Sequence, residues 1–380
     1  MRSRRRSEIV GAVTSADANG RSAHRVAVVG LGKLGQLLVN RLRRRRDVEI
    51  AAVIDVDPAK KGRPTDEVMD TETGLGLEVS GSLEAVRGVD VALVATTSRF
   101  ESVSPVLGEI VALGANAITI CEEAVYPWYQ FPAESEHLDR VARENGVSIL
   151  GCGSNPGFLM DLLPIVFTLG LERVTKVTMR RSLDMRPHRA ERLTRFGLGL
   201  TPGEFDAVDP ATLVGHVGFT QSMHCLADAL GWSLEETHEA GVRPAVVTEQ
   251  PRRGKFVTVE PGTVAVIEHR AWACCAGEKV IDIAMYFGFH DSEDRVGHGD
   301  SYEISATDQT ISLRVQPSWG PFATTPSAVI NLLPAVRFGK PGMLSVTDFP
   351  ARLLAARGGE VDARVPLPDE NHLVSLAEPA

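Results

Sequence analysis

From residue 25 onward, short apolar runs alternate with amphipathic stretches. Residues 26–29 are a compact β-branched run, which reads as a strand. Residues 33–46 then place Leu34, Leu37, Leu38 and Leu42 at helical spacing. Apolar strands are predicted at 49–54, 89–95, 117–121 and 147–150, with helices at about 102–113 and 132–145 between them. Continuous apolar strands parted by helices predict a parallel sheet covered on both faces. Beyond about residue 156 the runs become longer and half-polar, at 174–183, 255–259, 264–273, 279–289 and 302–315. Such alternation predicts a mixed or antiparallel sheet with one face exposed. Residues 220–230 and about 326–333 read as helices, and 185–215 as irregular chain rich in Arg, Gly and Pro. The fold class is therefore α/β, with a parallel-sheet domain followed by a second α+β domain.

Domain boundaries follow from these shifts in pattern. A flexible basic tail is expected at 1–24, the parallel-sheet domain at 25–155, and a substrate and dimerisation domain at 156–325. A helical return packing near the first domain is expected at 326–360, and a polar tail at 361–380.

Composition narrows the function classes. The 380 residues are 43% hydrophobic and 23% charged, enough to bury ordinary cores. Net charge is −9, and the first 24 residues are basic, so the body is acidic. That argues against nucleic-acid binding, which phosphate neutralisation drives. No apolar stretch is long enough to span a bilayer. The Ser-Arg-Arg start is followed by only a few apolar residues and Glu8, so no export signal is expected. Five cysteines without regular spacing signal neither a disulfide framework nor a zinc site. A cytoplasmic protein without a metal is expected.

Between the first strand and the first helix stands Gly30-Leu31-Gly32-Lys33-Leu34-Gly35. Gly30 permits a tight turn, Gly32 leaves room for a pyrophosphate, and Gly35 lets the helix pack closely on the strand. Asp55 ends the second strand, where a carboxylate accepts from adenosine ribose hydroxyls. Strand, turn, helix and acid together predict a Rossmann-type domain that binds NAD or NADP. Asp55 favours NAD by repelling a 2′-phosphate, whereas Lys60, Lys61 and Arg63 would tolerate one. Asp57 and Pro58 read as a helix cap and first helical residue.

Ligands of open parallel sheets bind beyond the carboxyl ends of the strands. Three segments fall there. Thr96-Thr97-Ser98 offers small hydroxyl residues to the cofactor. Cys121-Glu122-Glu123 puts adjacent carboxylates at a strand mouth, followed by Tyr126, Pro127 and Trp128. A single acid at a strand end often caps a helix, but a pair looks like a site. A carboxylate there suits an ammonium or iminium ion and serves as general acid or base. The third segment is Gly153-Ser154-Asn155-Pro156-Gly157-Phe158, with Asn155 a donor to the nicotinamide amide or the substrate.

The glycine turn, Ile120-Cys-Glu-Glu-Ala-Val-Tyr126-Pro127 and Gly153-Ser-Asn-Pro-Gly-Phe158 together resemble the 2,4-diaminopentanoate dehydrogenase family and the related native amine dehydrogenases. Further echoes lie at 199–205, 214–219, 229–232, 331–334 and 340–342, so the resemblance spans roughly residues 25–355. It implies a homodimer. The implied chemistry is NAD(P)-dependent oxidative deamination of a small amine, or reductive amination of a ketone or aldehyde with ammonia. It also implies that Glu122 or Glu123 is the catalytic carboxylate. Analogy with sugar dehydrogenases, whose Glu-Lys-Pro lysine aligns with Glu123, slightly favours Glu123.

In the second domain, Arg180, Arg181, Arg186, His188, Arg189, Arg192 and Arg195 form a basic stretch, from which one Arg would bind a substrate carboxylate. Tyr126, Trp128, Phe158, His188, Arg195 and His216 are the candidate substrate wall. Cys274 and Cys275, mid-strand, are expected to pack in the core. Competing readings are another dihydrodipicolinate-reductase-like or sugar or alcohol oxidoreductase, and a non-catalytic dinucleotide-binding protein.

Overall fold

The computed structural model describes residues 23–349. The tails expected at 1–24 and 361–380, and the end of the return expected at 326–360, lie outside the described residues, apart from residues 23–24 and 326–349.

The first unit opens with β1 (His24–Val29), α1 (Lys33–Leu42) and β2 (Val48–Ile54). Helix α1 turns Leu37, Leu38 and Leu42 inward, and each is at most 1% exposed. It stops short of residue 46 because Arg45 turns to Asp47, donating to both carboxylate oxygens at 2.8 and 2.6 Å. Asp57 does not start a helix: its carboxylate accepts from Ala59 N–H at 2.9 Å within a turn. A short helix α2 (Thr65–Met69) and strand β3 (Val79–Ser80) follow. The chain continues through β4 (Val91–Val94), α3 (Phe100–Ala112), β5 (Asn116–Thr119), α4 (Pro132–Glu144) and β6 (Ser148–Gly151). All four β4 residues are fully buried, as a strand covered on both faces requires. Phe100, Leu107 and Ile110 of α3 pack with Val94 and Ile149. Each such side chain contributes about 1.5–3 kcal/mol of burial.

The second unit runs from Leu159 to Pro321. After α5 (Leu162–Phe167) come β7 (Val174–Asp184), α6 (Ala190–Arg195), α7 (Pro202–Ala207), α8 (Phe219–Leu230) and β8 (Glu236–Val247). Helices α6 and α7 lie within a stretch expected to be irregular, and Thr201 with Glu204 closes a capping box on α7. Next come β9 (Arg252–Arg253), β10 (Thr258–Val259), β11 (Val264–Cys275), β12 (Glu278–Gly288), β13 (Asp300–Ala306) and β14 (Thr310–Val315). The main sheet has the order β14-β13-β7-β12-β11-β8, while β9 and β10 pair separately. Strand β12 is parallel to β7 and antiparallel to β11, so the sheet is mixed.

Three expectations change here. Residues 302–315 are a hairpin rather than one strand, closed where Ala306 N–H donates to Gln309 O at 2.8 Å. Strand β8 is an edge strand whose exposed residues interrupt any apolar run, so no strand was expected there. Cys274 and Cys275 sit at the end of β11, past a register shift, and both are only half-buried.

The chain then returns to the first unit through α9 (Pro321–Arg337) and β15 (Gly342–Leu344). Helix α9 begins five residues earlier than Pro326 suggests. Strand β15 pairs in parallel with β6 and completes a seven-stranded sheet of order β15-β6-β5-β4-β1-β2-β3.

Candidate active site

In the first sheet the strand order reverses between β1 and β4, which run side by side in parallel. Such a switch point opens a crevice at the carboxyl ends of the two strands. The glycine turn leaves β1 there and Thr96-Thr97-Ser98 leaves β4.

The turn meets the demands of a dinucleotide. Gly30 has φ +92°, and a Cβ there would press on the Ala95 carbonyl. A Cβ on Gly35 would collide with the Gly30 carbonyl oxygen, so α1 packs directly on the turn. Gly32 is exposed, and nothing lies within 4 Å of where its Cβ would be. It is also the N-cap of α1 and has no side chain to occupy the first-turn N–H groups. A phosphate fits this open helix start. Leu31 is buried, Leu34 half-buried, and Lys33 lays its ammonium 3.7 Å from the Phe322 ring centre.

Asp55 is tied to the same turn. One carboxylate oxygen accepts from Leu31 N–H at 2.8 Å and from Lys60 Nζ at 3.0 Å, and the other accepts from Asp57 N–H at 2.9 Å. Burial alone would raise its pKa, but these hydrogen bonds bring it below the ordinary value.

Glu122 and Glu123 occupy a 3₁₀ turn just beyond β5, and their environments differ. Glu123 accepts from Phe100 N–H at 2.8 Å and from Arg99 Nη1 at 2.6 Å. Its carboxylate therefore caps α3 and is committed to structure. The Ser98 side chain favours the ionised form of Glu122. Burial, together with the neighbouring Glu123 charge, raises its pKa above the ordinary value, against Ser98 and Arg99. The preference for Glu123 as the acid–base group thus loses its physical support. Cys121 alongside is fully buried and its pKa is pushed up to about 12, so it stays a thiol.

Tyr126 and Trp128 meet edge to face at 5.0 Å, with Trp128 packed on the sheet core. Asn155 follows β6, half-buried, in a loop where the Thr325 hydroxyl of α9 accepts from Ser154 N–H at 3.1 Å. Phe158, half-buried, ends this part of the first unit.

His188, Arg195 and His216 belong to the second unit. His188 is half-buried in the turn before α6, and Arg195 is exposed at the end of α6. His216 donates its N–H to His269 Nδ1 at 2.8 Å, and its ring meets Phe219 at 4.7 Å. Burial, then His269 and Arg181, push its pKa down to about 3, so the imidazole is neutral. Arg181 is no surface arginine: it pairs with Asp300 at 3.1 Å, both side chains fully buried, and donates to Trp319 O at 2.7 Å. Among the described residues, no group of three or more His, Cys, Asp or Glu is placed to hold a metal ion. None of the described helices is long and apolar enough to cross a membrane.

Comparison with known proteins now bears on this geometry. The family model described as 2,4-diaminopentanoate dehydrogenase C-terminal domain matches residues 158–362. The 2,4-diaminopentanoate dehydrogenase of Acetoanaerobium sticklandii is 30% identical over 330 residues, which is 86% of this chain and 93% of that protein. The chain belongs to the 2,4-diaminopentanoate dehydrogenase family. An amine dehydrogenase from Streptomyces virginiae is 23% identical over 354 residues, covering 87% of this chain and 98% of that one. The structure of an amine dehydrogenase from Mycobacterium smegmatis shares the fold, with TM-score 0.71 and 21% identity over 89% of this chain and 98% of that one. A model described as CoA binding domain matches residues 21–123, the stretch that contains the glycine turn, Asp55 and the glutamate pair.

Membership in the 2,4-diaminopentanoate dehydrogenase family makes this chain an oxidoreductase that works with a nicotinamide dinucleotide. The residues that would hold that cofactor fit it: the open Gly32 turn for the phosphates and Asp55 for the adenosine ribose. Sequence reasoning passed over Arg99 and Thr325. Arg99 directly follows the Thr-Thr-Ser segment, a placement that was a usable signal, whereas Thr325 is joined to the Asn155 loop only by folding.

The division between the two glutamates is measurable. Glu123→Gln should weaken the cap on α3 and the pair with Arg99, whose exposed guanidinium adds little. A loss of about 1 kcal/mol is expected, seen as a fall of a few degrees in Tm with kcat largely kept. Calorimetry beside steady-state rates checks this.

Proposed function

We propose that this protein is an NAD(P)-dependent amine dehydrogenase that oxidatively deaminates a small amine or, in reverse, aminates a ketone or aldehyde with ammonia. In this reading the first unit binds the dinucleotide. The observation that carries it is Glu122, a carboxylate of raised pKa at a strand mouth in the same sheet as the open glycine turn.

Such a group exchanges protons closer to neutral pH than an ordinary carboxylate does. When bound, the nicotinamide ring takes up or supplies the hydride at the substrate carbon. In deamination, Glu122 accepts a proton from the substrate ammonium and releases it to solvent. Once the carbon has become an iminium, Glu122 accepts a proton from water as the water oxygen adds to that carbon. It then passes this proton to nitrogen. The C–N bond breaks, the hydroxyl proton goes to the departing ammonia, and carbonyl plus ammonium remain. Asn155 would orient the carboxamide of the ring, and Tyr126, Trp128 and Phe158 would form an apolar wall beside the substrate.

The names of the relatives, 2,4-diaminopentanoate dehydrogenase and amine dehydrogenase, support the amine as substrate class. A sugar or alcohol oxidoreductase predicts NAD(P)H oxidation that does not need ammonia. The proposal predicts oxidation with a panel of ketones that requires it. Ammonia-independent turnover would remove the amine reading. Excess coenzyme A should leave an NADH titration unchanged, and displacement would favour a CoA site instead.

A homodimer through the half-polar face of the second sheet completes the proposal. On that face Trp272 stacks on His238 at 5.1 Å, Lys279 Nζ lies 4.6 Å from the Trp272 ring centre, and Tyr286 donates to Glu268 at 2.8 Å. Arg270 pairs with Asp282 across β11 and β12 at 2.5 Å. An aromatic residue among satisfied charge pairs suits an interface between copies. Light scattering should give a dimer at micromolar concentration, and a monomer alone would contradict it.

A further inference from the structure

Asp55 should select NAD by offering its carboxylate to both ribose hydroxyls and repelling a 2′-phosphate. Its surroundings weaken both effects. An ionised carboxylate has about four acceptor positions. Three are engaged here, by Leu31 N–H, Asp57 N–H and Lys60 Nζ. Lys60 also sits 3.6 Å from Asp57, so its ammonium balances the local negative charge.

Lys60 is held there by backbone. Its N–H donates to Asp57 O at 2.9 Å, and that of Lys61 to the same oxygen at 3.0 Å. The turn is pinned to β3, because Gly62 N–H donates to Val79 O at 2.8 Å and Val79 N–H to Arg63 O at 2.9 Å. The other bases nearby are directed elsewhere. Arg63 donates to Ala59 O at 3.2 Å and pairs with Glu67 at 3.6 Å. Lys61 lays its stem against Gly81, where a Cβ would strike it. Lys60 remains partly exposed beside Asp55, so its ammonium can turn outward to a phosphate without a change of backbone.

We propose that Lys60 is the residue that sets cofactor specificity: paired with Asp55 it admits the unphosphorylated ribose, and turned outward it binds a 2′-phosphate. Both NAD and NADP are then accepted, with Lys60 needed for the second alone. This rests on the glycine turn being the dinucleotide site.

The test uses binding of ADP-ribose and of 2′-phospho-ADP-ribose, measured by titration calorimetry on the full chain, with melting curves to confirm folding. Wild type should bind both comparably. Lys60→Ala should weaken the phosphorylated fragment by a factor on the order of 10², because a charge-assisted contact is lost and Asp55 is left unbalanced. The same variant should bind ADP-ribose as well as wild type or better, since an acceptor position on Asp55 is freed. Lys60→Arg should retain the phosphorylated fragment, and Arg63→Ala should behave as wild type. Equal weakening of both fragments by Lys60→Ala, unchanged binding of the phosphorylated one, or an equal loss in Arg63→Ala would each overturn the inference while leaving the dinucleotide site standing. Failure of wild type to bind either fragment would overturn the site and the inference together.

Discussion

Glu122→Gln is expected to lose a factor on the order of 10² or more in kcat, with NAD(P)H affinity nearly unchanged, since general acid–base groups are worth about that much. The variant keeps the size and hydrogen-bonding capacity of the side chain but cannot carry the proton. It should also separate function from stability. Glu122 has a raised pKa in the folded protein, so folding favours its protonated form. Below the ordinary value of 4.5 the group is protonated whether folded or unfolded, and the native glutamate loses nothing relative to glutamine. As pH rises from that value through the raised one, the native protein loses stability that the glutamine variant retains. At neutral pH Glu122→Gln should therefore melt no lower than wild type, and higher if the shift is large, while turning over far more slowly. Glu123→Gln should do the opposite. Wild-type turnover in a folded Glu122→Gln protein would remove the carboxylate from the chemistry.

Gly32→Trp is expected to abolish NAD(P)H binding in a protein that still folds. Gly32 has an ordinary extended backbone, φ −76° and ψ −172°, and an added Cβ has no atom within 4 Å. The added side chain would instead fill the space a pyrophosphate needs. Gly35→Ala makes the contrast, because its methyl group runs into the Gly30 carbonyl and should cost folding itself. A fluorescence titration with NADH, read beside the melting curve of each variant, distinguishes a blocked site from a broken fold. Undiminished affinity in Gly32→Trp would mean that the cofactor binds elsewhere.

Five strands of the first sheet were legible because they read as apolar runs, whereas β3 and β15, of two and three residues, are too short to give a pattern. β8 was not legible either, since every residue of this edge strand is half-buried or exposed and its polar residues hide it. The hairpin of β13 and β14 was missed because Thr307-Asp308-Gln309 carries neither glycine nor proline. Asp57-Pro58 has the residues of a helix start, yet the chain needed for a helix is drawn into the turn that carries Lys60. Of the candidate site, the residues that follow strand ends could be named from order alone. The roles of the two glutamates could not, because they depend on Arg99 and Phe100 N–H at the start of α3. Likewise the arginines of 180–195 looked alike in sequence, and only folding separates buried Arg181, paired with Asp300, from exposed Arg195.

The central claim is that this oxidoreductase breaks a C–N bond. Its most direct test is the stoichiometry of ammonia release to NAD(P)H formed when the purified protein is incubated with NAD or NADP and 2,4-diaminopentanoate, then with simpler primary amines. The account predicts one ammonia for each NAD(P)H on at least one of these amines, with both products lost together in Glu122→Gln. NAD(P)H formed without ammonia, or no reduction with any amine while alcohols are oxidised, would contradict it.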